Sequence, residues 1–194
     1  MRQRRLSDGS MEQAKAVINA DAEIDEMEKD IEKLCLKLLL QQQPVAKDLR
    51  RISAALKMIT DMERIGDQTA DIAEIVISAN TEESVDIKDI GRMASVVSKM
   101  VRDSVTSYVQ KDLELARRVM VADDEVDDLF DLVKGDLVKF ISDHKGSAGD
   151  EAIDLIMIAK YLERIGDHAT NIAEWVEFSI TGIHAGGTAN LKRN

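Results

Sequence analysis

Residues 63–74 read ERIGDQTADIAE, and residues 163–174 read ERIGDHATNIAE. In a helix, Glu63, Asp67 and Asp71 follow at intervals of four, so each is turned only about 40° from the last and all three share a face. Glu74 returns to that face at the end of the phrase. Like charges at this spacing destabilise a helix by about 0.2–0.5 kcal/mol per pair, and in mid-helix the macrodipole does not compensate them. An acidic phrase written twice under that penalty implies something that favours it.

The rest of the chain supports a helical reading of the phrase. Its 194 residues include one proline and 3% aromatic residues, and Leu, Ile, Ala, Met, Glu, Lys and Asp are abundant, which disfavours a sheet. The expected fold is all-α. A hydrophobic content of 44% suffices for one sizeable core or two small ones. Apolar periodicity predicts five helices, over Met11 to Gln42, Pro44 to Ala79, Ile87 to Gln110, Asp112 to His144 and Asp150 to Ile180. Pro44 in QQQPVAKDLR reads as a turn and restart, with the proline in the first turn of the second helix. ANTEESVD (79–86) separates two halves, and KGSAG (145–149) breaks the last two helices. The basic opening MRQRRLSDGS and the end TGIHAGGTANLKRN read as loose tails.

The halves are copies. ADAEIDEM at 20–27 answers ADDEVDDL at 122–129, just as the opening phrases answer one another. The second copy has an extra helix ahead of its acidic segment, and the first copy has no room for a counterpart upstream of residue 10. A complete three-helix unit is therefore expected in the second half and an incomplete one in the first. The uncovered apolar face of the first must then find a partner or be shielded by association.

Folding each half back on itself brings the acids together. A turn at residue 44 sets Asp25 opposite Glu63 and Asp21 opposite Asp67, and a turn near Lys145 sets Asp127 opposite Glu163 and Asp123 opposite Asp167. Adjacent helix axes lie about 8–10 Å apart, a gap that carboxylates from both sides can close by sharing a cation. Glu63 also continues the apolar seam Leu49, Ile52, Leu56, Ile59, so it stands at the core's edge, where a carboxylate is costly unless protonated, paired or metal-bound. Gly66 and Gly166 each cost about 1 kcal/mol in a helix interior. They read either as sites of close backbone approach or as kinks.

Oxygen-rich, sulfur-free sites suit Mg²⁺, Ca²⁺, Mn²⁺ or ferric iron, and zinc can also occupy them. A single Glu-x-x-x-Asp is ordinarily a solvated helix face, whereas the paired and duplicated set favours metal. His168 lies off the shared face and reads as an ordinary polar residue, and His144 and His184 fall at a helix end and in a tail. Cys35, set among leucines in KLCLKLLL, reads as a small buried thiol.

Charge and composition exclude several classes. With 37 acidic against 26 basic residues the net charge is −11, which disfavours nucleic acid as a partner and favours cations. No run of about eighteen apolar residues occurs, so a membrane-embedded chain is not expected, and the cytoplasm is the expected location.

Three stretches, QQPVAKDLR (42–50), MERIGDQTADIAE (62–74) and YLERIGDHATNIAEWVEF (161–178), resemble the PhoU family of phosphate-transport regulatory proteins, in the right order and spacing. The likeness spans about residues 15–180. It implies two tandem antiparallel three-helix bundles, here residues 1–84, lacking the first helix, and residues 85–194. It further implies multinuclear iron or other metal clusters held by Asp21 with Asp25, Glu63 with Asp67 and Asp71, Asp123 with Asp127, and Glu163 with Asp167 and Asn171. The resemblance points to a non-enzymatic, cytoplasmic, homodimeric negative regulator of phosphate uptake. Its partners would be the ATPase of the phosphate ABC transporter and a phosphate-sensing histidine kinase. Asn171 departs from the acid at Asp71, so the second site should carry less charge.

Two other classes compete with this binding module. A helical-bundle metalloenzyme such as a di-iron oxidase normally carries Glu-x-x-His pairs, which are not found here. An acidic scaffold whose carboxylates are simply solvated would bind no metal. The chain has no Gly-rich phosphate loop and no nucleotide fingerprint.

Overall fold

The computed structural model describes residues 8–79 and 88–183. Among them it contains five α-helices and no strand, as the periodicity predicts. They are α1 (Asp8–Gln42), α2 (Ala46–Ser78), α3 (Lys88–Gln110), α4 (Leu113–Asp143) and α5 (Gly149–Thr181). Residues 1–7, most of the 79–86 linker with the boundary between the expected repeats, the start of the third helix at Ile87, and His184 with the rest of the tail lie outside the described residues.

Local chemistry sets the helix ends. Asp112 caps α4, its carboxylate accepting from the Leu115 N–H at 2.9 Å, and Glu114 adds negative charge to the first turn. Gly182 closes α5 in the left-handed region with φ of 79°. Pro44 corrects the sequence reading. It precedes α2, with Val45 as the extended N-cap residue, because the α1–α2 turn is made by Gln43 at φ 43° and the helix begins only at Ala46. The expected tail at 8–10 is instead the first turn of α1.

The helices α3, α4 and α5 all pack on one another, and α1 and α2 form an antiparallel hairpin. The hairpin joins the rest of the molecule mainly through α2 on α5. Most of the core lies in the second half. Met93, Val97 and Met100 of α3, Val126, Leu129 and Val133 of α4 and Leu162, Ala169 and Ile172 of α5 are buried together, and Met58 of α2 joins them. The α2 and α5 helices run antiparallel. Asp61 on α2 meets His168 and Asn171 on α5, Asp71 meets Tyr161, and the backbone at Gly182 abuts Arg50. Each of the two copied phrases therefore faces its own hairpin partner on one side and the other copy on the other.

Candidate metal centre

The α1–α2 hairpin register is the one expected from its turn. Asp25, Glu63 and Asp67 each offer a carboxylate oxygen, and these oxygens lie within 4.8 Å of one another. Asp21, one helical turn before Asp25, completes the group. Its Oδ1 is buried and has no hydrogen-bond partner, directly beside Gly66, where an added Cβ would come 3.1 Å from it. The absent side chain at Gly66 thus lets α1 approach, with Ile24 Cδ1 at 3.0 Å from the same point. Close approach is the role this glycine plays, and α2 runs through it as one helix.

Electrostatics in this crevice is unfavourable as it stands. Burial, followed by the charges of Asp67, Asp25 and Asp71, raises the Asp21 carboxyl above its ordinary range. Burial, Asp67, Glu28 and Asp25 raise that of Glu63, and Arg64 only partly opposes them. Lys29 lies 3.7 Å from Asp25, an exposed pair that contributes little. The crevice holds mutually repelling oxygens, one of them orphaned, and that donor set matches hard cations.

The second half repeats the arrangement with different surroundings. Asp123 and Val126 face the backbone of Gly166, as Asp21 and Ile24 face Gly66, but at a looser 3.4 Å. Burial, Asp167 and Asp127 push the Asp123 carboxyl up to about 6, against the opposing influence of the nearby Thr170 hydroxyl. Burial and Glu163 raise that of Asp167, against Lys160, with Asp127 adding to the rise and His168 opposing it. Asp123, Asp127 and Glu163 are therefore each within electrostatic reach of Asp167. Among the described residues, however, only the first-half acids bring three oxygens so close. Glu163 is instead engaged by Lys160. An open pocket of about 390 Å³ lies here, lined by Asp123, Arg164, Asp167, His168, Thr170 and Asn171.

Two predicted ligands are also engaged between the halves. Asn171 lines the second pocket, yet its amide donates to Asp61 Oδ1 at 3.3 Å. Asp71 faces Tyr161, whose phenol is raised by burial and by that same carboxylate. Asp61 was not singled out by the sequence reading, and His168 was read there as an ordinary polar residue. The structure pairs them across α2 and α5 at 2.8 Å, with both side chains almost fully buried. A signal for this existed in the repeat. Positions 61 and 71 of the first copy correspond to 161 and 171 of the second, so Asp61 with Asn171 and Tyr161 with Asp71 are the two pseudosymmetric versions of one contact.

The fold and these crevices define an all-α tandem-repeat protein in which each helical hairpin gathers carboxylates from both of its helices. A PhoU domain profile matches residues 4–76 and again 90–176, and the chain belongs to the PhoU family. It is 39% identical over 171 residues to a phosphate-specific transport system accessory protein PhoU homolog of Clostridium acetobutylicum, covering 87% of this chain and 78% of the relative. The homolog of Caulobacter vibrioides is 34% identical, covering 87% and 74%. The fold superposes on the crystal structure of PhoU from Pseudomonas aeruginosa with a TM-score of 0.85 at 32% identity, covering 89% of this chain and 83% of that one. The Streptococcus pneumoniae phosphate transport system regulatory protein PhoU shares the fold, with a TM-score of 0.83 at 23% identity over 90% and 82% of the two chains. Among the described residues no helix is long and apolar enough to cross a membrane.

Proposed function

We propose that this chain is a metal-binding accessory protein of phosphate transport that acts in the cytoplasm, without catalysis, as a negative regulator of uptake. Family membership supports the transport assignment, since the relatives are accessory proteins of phosphate-specific transport systems. The observation that carries the metal assignment is the convergence of Asp25, Glu63 and Asp67 oxygens within 4.8 Å beside the orphaned Asp21 Oδ1. In the first half Asp21, Asp25, Glu63 and Asp67 would hold the ion, with Asp71 at the rim. In the second, Asp123, Asp127, Glu163 and Asp167 would do so, with Asn171 contributing an uncharged oxygen. Divalent or trivalent ions fit this all-oxygen set, whether multinuclear iron, Mg²⁺ or Mn²⁺, and Zn²⁺ can enter it.

When bound, the cation supplies positive charge that offsets repulsion among acids from both helices of a hairpin. The carboxylates then fix α1 on α2 and α4 on α5, and so fix the outer faces that a partner reads. Those partners are the ATPase of the phosphate ABC transporter and a phosphate-sensing histidine kinase. Elemental analysis of the purified protein should find iron, manganese or another hard ion, and Asp67→Ala with Asp167→Ala should lower it while helix content by circular dichroism stays the same. Unchanged stoichiometry removes these residues as ligands. A pull-down with the transporter ATPase should succeed, and failure at both high and low phosphate overturns the regulatory assignment.

A further inference from the structure

One buried carboxylate organises a wall of the second-half pocket. Asp61 Oδ1 takes His168 Nδ1 at 2.8 Å and the Asn171 amide at 3.3 Å, so a single oxygen of α2 orders two side chains of α5. The side chains of His168 and Asp61 are only 12% and 10% exposed, which confines the ring. With Nδ1–H donating to Asp61, the imidazole is held in the tautomer that carries its lone pair on Nε2. With its nitrogen engaged in the same way, Asn171 keeps its side-chain oxygen for another partner. Asp61 thus takes up a donor from each residue and leaves each an acceptor.

Both residues line the open pocket in which Asp123 and Asp167 also stand. The Thr170 hydroxyl lines it too, with its oxygen buried and without a hydrogen-bond partner. This pocket is short of carboxylate oxygen by comparison with the first crevice. Glu163 is engaged by Lys160, and Asn171 stands where the first copy has Asp71. The first crevice has no nitrogen to match, since Gln68 occupies the position of His168 and is buried.

We propose that His168 Nε2 is a metal ligand of the second site, beside Asp123, Asp167 and the Asn171 oxygen, and that Asp61 is the residue that positions it. The inference rests on the metal-binding reading above and refines it for one half. A metal-bound imidazole whose other nitrogen donates to a buried carboxylate is a recurrent arrangement, because the carboxylate fixes the ring and makes it a stronger base. Asp167 is exposed, so its carboxylate is free to turn toward an ion held by the ring. The consequence is a difference in ion preference between the copies. Imidazole with fewer carboxylates suits a borderline ion such as Zn²⁺, whereas the all-oxygen first crevice suits Mg²⁺ or Mn²⁺.

Zn²⁺ titration of the chelator-treated full chain, followed by NMR of the histidine side-chain nitrogens, tests the proposal. The His168 ring should show a protonated Nδ1 throughout and a displaced Nε2 signal once Zn²⁺ is bound. By calorimetry, His168→Gln, which installs the residue of the first copy, should weaken Zn²⁺ binding at the second site tenfold or more. Asp61→Asn should weaken it about tenfold and also release the ring from its single tautomer, a change that lost packing alone does not produce. Mn²⁺ uptake by the first crevice should be the same in both variants. Zn²⁺ bound by the second half with the wild-type His168 nitrogens unmoved overturns the ligand and leaves the metal assignment standing, and this spectrum needs no variant to fold. Undiminished Zn²⁺ affinity in folded His168→Gln overturns it as well. A chain that binds neither Zn²⁺ nor Mn²⁺ overturns both readings.

Discussion

His168 Nδ1 on α5 lies 2.8 Å from Asp61 Oδ1 on α2, joining the two halves through a pair almost withdrawn from solvent. The same Asp61 oxygen accepts from Asn171, so one carboxylate serves two donors on the opposite helix. Asp61→Ala should leave both donors facing an apolar gap and cost about 1–3 kcal/mol. At about 2–4 °C per kcal/mol for a chain of this size, calorimetry should record a fall of several degrees. A double-mutant cycle with His168→Ala should return a coupling of at least about 0.5 kcal/mol, and additive single effects would show that the pair does not hold the halves together.

Tyr161 and Asp71 form the pseudosymmetric counterpart of that contact, but it is a weaker one. Tyr161→Phe keeps the ring and removes one hydroxyl, so the expected loss is about 0.5–1.5 kcal/mol, below that of Asp61→Ala. Chemical denaturation should preserve this order with an unchanged denaturant slope. A Tyr161→Phe variant less stable than Asp61→Ala would reverse the ranking of the two contacts.

The two repeat glycines should respond differently to alanine. Either substitution gains about 0.5–1 kcal/mol of helix propensity. A Cβ at Gly166 meets Asp123 Oδ1 and Val126 Cγ1 at 3.4 Å, an ordinary contact, so Gly166→Ala should be neutral or slightly stabilising. At Gly66 it meets Ile24 Cδ1 at 3.0 Å and Asp21 Oδ1 at 3.1 Å, and one of them must move. Gly66→Ala should therefore melt below Gly166→Ala and should also weaken metal uptake by the first crevice alone. Equal melting temperatures would mean that α1 yields freely at Ile24.

The features legible in the sequence are those set by local periodicity and by the repeat. Five helices, the Asp25–Glu63 side of the first crevice and the Asp123–Asp167 side of the second all follow from spacing plus a single turn each. What was not legible depends on how α2 crosses α5, since no periodicity within one helix specifies which residues meet across that contact. Asp61 has no acidic neighbour at helical spacing on the metal face, so nothing local distinguished it, and His168 looked ordinary because its partner lies more than a hundred positions away. Pro44 was misplaced for a smaller reason. A proline suits the first turn of a helix but equally suits the turn before it, and the left-handed Gln43 decided between them.

Stability should fall as pH rises through the range in which the crevice acids ionise. Asp123 has an ordinary carboxylate pKa in the unfolded chain and is pushed up to about 6 in the folded one, so between those values the native state binds the proton more tightly. By linkage the metal-free protein loses stability as pH rises from about 4 to about 6 and then levels off. The raised Asp21, Glu63 and Asp167 carboxyls add to the loss in the same direction. With allowance for solvent screening the Asp123 contribution is about 1–2 kcal/mol, or a few degrees of melting temperature. Added Mn²⁺ should recover that loss at pH 7 and have much less effect at pH 5, where protons occupy the same oxygens. Scanning calorimetry of chelator-treated protein, with and without Mn²⁺, checks both slopes. An equal Mn²⁺ effect at the two pH values would place the ion away from these carboxylates.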